Sequence, residues 1–179
     1  RILRKEQPDV VFSKGGYVAF PTVIAAWLFG IPVVAHESDV SPGLANRLCF
    51  WFLNSLCVNF DSTRVSVRRL VVTGTPIRKS LLEGNADRGR DRLGFQQRRP
   101  IILVIGGSLG ALSLNRLIRE ALDQLTAEFN VVHVCGPGNL DATLENANRY
   151  HQLEFVDDGW GDVLASADVV VSRAGANSV

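Results

Sequence analysis

The chain has 179 residues, enough for one large domain or two small ones. Hydrophobic residues make up 46% and charged residues 21%, which permits a buried core and argues against a disordered chain. The formal net charge of +1 argues against a nucleic-acid binder, although residues 1–78 carry nine Lys/Arg against five Asp/Glu and residues 79–179 carry ten against thirteen.

Residues 9–13 read as a short strand, broken by Gly15-Gly16. Residues 17–29 read as a helix with Pro21 near its start, stopped by Gly30-Ile31-Pro32, and residues 31–35 as the next strand. The stretch 17–35 holds no charge over 19 positions, the length of a membrane span. The Gly-Ile-Pro break instead divides it into a helix and a strand of ordinary globular length, as in a sheet buried on both faces. Residues 42–60 read as an apolar helix running into a strand near 56–59, and residues 70–73 as a short strand. Composition then shifts: residues 83–100 are polar and Arg-rich, with a short helix ending at Gly94. A regular alternation follows, with strands at 101–105, 130–135, 154–156 and 168–172 and helices at 111–128, 140–148 and 160–167. Such alternation predicts an α/β fold with parallel, doubly wound sheets. Cys49, Cys57 and Cys135 form no CxxC pair and lie in apolar runs, as expected of reduced, buried, cytosolic thiols. The three histidines are widely spaced, so no metal-ligand cluster is visible.

The strongest local signal is the apolar strand 101–105 entering Gly106-Gly107-Ser108-Leu109-Gly110. Glycines let backbone N–H groups approach a phosphate, and the following helix start favours an anion. The spacing matches neither GxGxxG nor a Walker loop, so alone it reads as an anion or nucleotide site at a βα turn, or as a tight turn with no ligand. Three further strand ends carry polar residues: His36-Glu37-Ser38-Asp39, Gly74-Thr75-Pro76-Ile77-Arg78 and Arg173-Ala174-Gly175-Ala176-Asn177-Ser178. Ligands of open parallel sheets bind at such carboxyl ends, so the four together suggest one shared cleft. His36 beside Glu37 is a candidate for acid–base work, and the Arg78 guanidinium suits a diphosphate.

In order along the chain come Lys14-Gly15-Gly16-Tyr17, His36-Glu37-Ser38-Asp39, Pro42-Gly43-Leu44-Ala45-Asn46, Gly74-Thr75-Pro76-Ile77-Arg78, Gly106-Gly107-Ser108-Leu109-Gly110-Ala111, Glu154-Phe155-Val156-Asp157-Asp158 and Ser172-Arg173-Ala174-Gly175-Ala176. This series resembles the MurG family of peptidoglycan N-acetylglucosamine transferases over essentially the whole chain. The resemblance implies a GT-B fold of two facing Rossmann-like domains. Residues 1–74 would form part of the acceptor and membrane-side domain, 75–100 a linker with a short helix, and 101–179 the first half of the UDP-sugar domain.

The implied reaction is inverting transfer of N-acetylglucosamine from UDP-N-acetylglucosamine to lipid-linked N-acetylmuramoyl-pentapeptide, without cofactor or metal. Implied partners are the UDP-sugar, the undecaprenyl-diphosphate-linked acceptor and an anionic membrane surface, at the cytoplasmic face of the bacterial plasma membrane as a peripheral protein, and no nucleic acid. Carried over position by position, the donor would meet Arg78, Gly107, Ser108, Gly110, Val156, Arg173, Ala176, Asn177, Ser178 and Asp39. Asp39 falls where the family often has Asn, which adds a charge. The acceptor diphosphate would meet Gly15, Gly16 and Tyr17, and His36 and Glu37 are the catalytic candidates within the chain. The family's first glycine loop and its ribose-binding glutamate would lie outside residues 1–179, so the sequence reads as an internal piece without activity of its own. Two other readings stand beside this one: another GT-B UDP-sugar enzyme, such as an epimerase or glycolipid transferase, and a non-catalytic nucleotide- or membrane-binding module.

Overall fold

Short runs of β-branched residues separated by glycine turns pair as two parallel sheets. The structure is a computed structural model that describes residues 1–95, 98–156 and 158–175. It divides into one unit spanning Arg1–Pro76 and a second beginning at Ile77.

The first unit runs through α1 (Ile2–Glu6), β1 (Val11–Ser13), α2 (Ala19–Leu28), β2 (Val33–Glu37), α3 (Leu44–Cys49), a 3₁₀ turn at Phe50–Phe52, β3 (Ser55–Val58) and β4 (Leu70–Val72). The four strands lie in sequence order, each parallel to the next. Val23 and Ala26 of α2 pack on Val33, Ala35, Leu56 and Val58 of the sheet. Gly30, at φ +70, turns the chain out of α2 and into β2. The uncharged stretch 17–35 is thus a helix and a strand, and no helix among the described residues is long and apolar enough to cross a membrane. The helix expected to run on from residue 42 stops at Cys49, where the aromatic Phe50–Phe52 tightens into a 3₁₀ turn. There Phe52 meets Trp27 edge to face, with ring centroids 5.2 Å apart.

The second unit runs through α4 (Lys79–Leu82), α5 (Ala86–Leu93), β5 (Ile101–Ile105), α6 (Leu112–Glu120), α7 (Leu122–Glu128), β6 (Asn130–Val134), β7 (Tyr150–Leu153), α8 (Trp160–Ser166) and β8 (Val169–Ser172). Its strand order is β7-β6-β5-β8, all parallel. The pleat sends alternate β5 residues to opposite faces. Ile101 and Leu103 join Leu93 and Val163 under α5 and α8, while Ile102 and Val104 join Ile118 and Leu122 under α6 and α7. Gly89 of α5 lies so close to α8 that a Cβ there would sit 2.1 Å from the Asp162 carbonyl oxygen. Arg88 of α5 pairs with the Asp162 carboxylate at 2.7 Å.

Three expectations need correction. The helix expected at 111–128 is two, because Ala121 leaves helical geometry at φ −92 and ψ 3. The helix expected at 140–148 is a single 3₁₀ turn, Ala142–Leu144. Asp141 Oδ1 caps that turn by accepting from both Thr143 N and Thr143 Oγ1, a local arrangement that competes with a longer helix. The strand expected at 154–156 lies at Tyr150–Leu153 instead. Its polar YHQL pattern fits an edge strand with one buried anchor, Tyr150, and gives little apolar signal.

Candidate functional site

In the second unit the chain runs outward from β5 through β6 to β7 and then returns through α8, so that the strand order reverses between β5 and β8. Both strands end in glycine-containing turns at that point. This is the topological switch point of a doubly wound sheet, where the two loops splay apart and leave a crevice. A pocket of about 330 Å³ opens there, lined by Ile105, Gly106, Gly107, Arg173, Ala174 and Gly175. Gly107 and Gly110 both take positive φ, +93 and +76, so the loop follows a path that residues with side chains rarely adopt. Gly110 N donates to Gly107 O at 3.0 Å and closes the turn, leaving Ser108 exposed at its tip. The loop then enters α6, whose cap residue Ala111 supplies no side-chain acceptor to the first N–H groups.

The back of this loop is packed glycine against backbone. A Cβ on Gly110 would lie 1.9 Å from the Cys135 carbonyl oxygen, and one on Gly136 would lie 2.5 Å from Gly110 N. Asn115 of α6 donates to that same Cys135 carbonyl at 2.9 Å. Arg119, one turn on, donates to Asn139 O at 2.5 Å and to Gln152 Oε1 at 3.1 Å. Motif reading missed Asn115, His133 and Arg119, since lone polar residues inside α6 and β6 carry no spacing signal.

Of the other donor candidates, Arg173 lines the same pocket as Gly107. Val156 is buried in the core under α5 and α8, with only its backbone to offer a ligand. Arg78 is exposed and lines a separate recess with Arg88, Asp158, Trp160 and Asp162. Ala176, Asn177 and Ser178 lie outside the described residues.

In the first unit the glycine turn Gly15-Gly16 follows β1, with φ of +91 and +88. Asn46 of α3 sits against it, 3.0 Å from where a Gly15 Cβ would be. Tyr17 projects from the turn, 87% exposed. His36 and Glu37 end β2 and are both buried. Lys14 Nζ donates to His36 Nδ1 at 2.8 Å and to Ser38 Oγ. His36 Nε2 then carries the proton and donates to Gly74 O at 3.1 Å. Glu37 Oε1 accepts from Asp39 N at 3.0 Å, and Oε2 accepts from Gly43 N at 3.0 Å and Asn46 Nδ2 at 2.9 Å. Burial alone would raise the Glu37 carboxyl, but these donors outweigh it and hold it below the usual carboxylate range. The charge of Glu37 is thus spent on shaping the 38–43 loop, and Asp39 stands exposed on that loop. Lys14 is exposed and forms no ion pair with a carboxylate among the described residues, which leaves a positioned cation beside the Gly15-Gly16 turn.

Residues 101–179 match the glycosyltransferase family 28 C-terminal domain, and residues 1–58 match the family 28 N-terminal domain. A curated protein of Legionella pneumophila (strain Lens) is 55% identical over 178 residues, which covers 98% of this chain and 49% of that protein. One of Clostridium tetani is 47% identical over 181 residues, covering 100% of this chain and 51% of the relative. Both relatives are named UDP-N-acetylglucosamine–N-acetylmuramyl-(pentapeptide) pyrophosphoryl-undecaprenol N-acetylglucosamine transferase. The chain therefore spans about half the length of the curated relatives it matches. Among solved structures, Acinetobacter baumannii MurG superposes with a TM-score of 0.69 at 32% identity, covering 99% of this chain and 50% of that one. A UDP-GlcNAc 2-epimerase from Neisseria meningitidis, bound to UDP-GlcNAc, superposes with a TM-score of 0.65 at 15% identity, over 97% of this chain and 56% of that one. At that identity the epimerase bears on the fold alone, and both neighbours share the GT-B class of parallel α/β sheets.

Proposed function

Because the chain belongs to glycosyltransferase family 28, with parts of both its domains, we propose that it serves the inverting transfer of N-acetylglucosamine from UDP-N-acetylglucosamine to an undecaprenyl-diphosphate-linked N-acetylmuramoyl-pentapeptide. The observation that carries this reading is the pocket at the β5–β8 switch point, where the first glycines of a loop that leads into α6 meet an arginine. As the sugar leaves UDP, negative charge grows on the diphosphate, and donors fixed in advance stabilise it without reorganising. The loop N–H groups at Gly107 and Ser108, the Ser108 hydroxyl, the start of α6 and the Arg173 guanidinium supply that field, while the Gly110 N–H closes the turn that presents them. The backbone of Val156 meets the uracil, Arg78 reaches the donor from its own recess, and Ala176, Asn177 and Ser178 continue the donor site. The reaction needs no metal in this reading, because these donors carry the leaving-group charge.

The acceptor's diphosphate lies on the Gly15-Gly16 turn with Tyr17, and the positioned Lys14 ammonium neutralises it. His36 and Glu37, both buried and hydrogen-bonded, hold Lys14 and the 38–43 loop in place, and Asp39 presents its carboxylate from that loop. The test is a titration of this chain with UDP-N-acetylglucosamine. Ser108→Ala should weaken binding about fivefold, one hydroxyl hydrogen bond's worth, and Arg173→Ala about tenfold or more. Saturable binding that ignores both substitutions would sink the reading.

The chain also acts at the cytoplasmic face of the plasma membrane as a peripheral protein, through α3 and the 3₁₀ turn that follows it. Leu44, Arg47, Leu48 and Trp51 recur at i, i+3, i+4 and i+7 and face outward, with Trp51 92% exposed. That stripe of apolar side chains with one cation suits the interface of an anionic bilayer. Replacing Leu48 and Trp51 together by serine should lower co-sedimentation with phosphatidylglycerol vesicles at least tenfold while leaving UDP-N-acetylglucosamine binding intact. Unchanged sedimentation would remove the face formed by α3 and its 3₁₀ turn from the membrane contact.

A further inference from the structure

Beneath the glycine loop lies a buried polar chain that the donor contacts do not use. His133, on β6, is fully buried and contacts Tyr150 Oη through Nδ1 at 2.8 Å and Asn115 Oδ1 through Nε2 at 3.0 Å. The proton direction is settled by the far end of the chain. Asn115 Nδ2 donates to the Cys135 carbonyl, so the Asn115 oxygen faces His133 and must accept. His133 therefore carries its proton on Nε2, Nδ1 accepts, and the Tyr150 hydroxyl donates. Each group has one role, and reversing any bond would place two donors or two acceptors face to face.

The chain ends on the Cys135 carbonyl, the atom against which Gly110 of the glycine loop is seated. It links β7, β6 and α6 to the turn after β6, through side chains that are each at least 96% buried. We infer that Tyr150 and His133 are positioning residues for the glycine loop: the Tyr150 hydroxyl donates to His133 Nδ1 and holds the ring, the ring's Nε2–H holds the Asn115 oxygen, and the Asn115 amide holds the Cys135 carbonyl under Gly110. Burial, with the Arg119 charge nearby, pushes the His133 imidazole down to about 4, in keeping with a neutral relay at neutral pH. The role rests on the reading that this loop binds the donor diphosphate.

Tyr150→Phe keeps the ring and removes only the hydroxyl. His133 Nδ1 then loses its donor and is left buried without a partner, while Asn115 Oδ1 still accepts from Nε2–H, so the ring and the Asn115 amide it holds lose their fixed position. The imidazole ¹⁵N spectrum of this chain should show an Nε2–H tautomer in the wild type and in Tyr150→Phe, with the Nδ1 resonance of the variant moved by the lost hydrogen bond. The backbone amides of Gly107, Ser108 and Gly110 should shift, and UDP affinity should fall roughly tenfold. Asn115→Leu, which breaks the relay at its other end, should move the same three amides if Tyr150→Phe proves too unstable to purify. Loop amides that stay put in a folded variant overturn the inference, as does a wild-type Nδ1–H tautomer. Wild-type protein that fails to bind UDP, while the loop amides still respond to Tyr150→Phe, keeps the relay and discards the donor reading.

Discussion

Gly110→Ala should weaken UDP-N-acetylglucosamine binding by about two orders of magnitude. Two costs act together. A φ of +76 costs a residue with a Cβ about 1–2 kcal/mol. The added carbon would also sit 1.9 Å from the Cys135 carbonyl oxygen, an overlap that backbone must relieve by moving, at a further ~1–3 kcal/mol. Together these oppose the native loop by roughly 2–5 kcal/mol, and each ~1.4 kcal/mol is tenfold in affinity. Gly138→Ala is the control. Gly138 has φ +71 in the neighbouring turn but open space where its Cβ would project, so it bears the conformational cost alone. Calorimetric titration of both variants, with thermal unfolding to verify the fold, decides the matter. If the two lose equal affinity, the seat on Cys135 is not what shapes the loop.

The second large effect concerns acid. Burial and the Arg119 charge hold the His133 imidazole at about 4 in the folded chain, against an ordinary value of 6.5. A base whose folded value is depressed is protonated first in the unfolded chain. Its stability contribution is therefore complete above pH 6.5 and is lost as pH falls toward 4. Between pH 7 and pH 5 the second unit should lose about 2 kcal/mol from this group. The groups around the imidazole are Asn115 and Arg119 of α6, Tyr150 of β7 and Cys135 beyond β6, and none is a carboxylate that would rescue the cation. Burial raises the Tyr150 phenol to about 12, so it stays neutral throughout this window. Glu37, in the first unit, acts in the acid range below the ordinary carboxylate value. Urea unfolding at pH 7 and pH 5 reads the slope, and His133→Gln should flatten most of it. A slope unchanged in that variant would assign the acid sensitivity elsewhere.

The glycine loop was legible because its signal is local: an apolar strand, a run of glycines and a polar tip are contiguous in sequence. The strands at 101–105 and 130–135 and the helix ending at Gly94 were legible for the same reason, since hydrophobic period and a left-handed cap are short-range properties. Tyr150–Leu153 was not, because one buried tyrosine in a polar edge strand leaves no period to detect. Nor did the sequence separate the roles of His36 and Glu37 from those of free acid–base groups. Their hydrogen bonds to Lys14, Gly74, Gly43 and Asn46 span 6–38 residues, beyond any motif window.

From sequence alone came the α/β class, the order of the glycine turns and the family resemblance, all of which are written in neighbouring residues and their order. The tertiary structure decided which turns share a pocket within a unit: Arg173 joins Gly107 because β8 pairs with β5, while Arg78 opens onto another recess. It also decided that Gly110 must remain glycine. That requirement comes from the Cys135 carbonyl, 25 residues away in sequence, which β6 brings beneath the loop by pairing in register with β5.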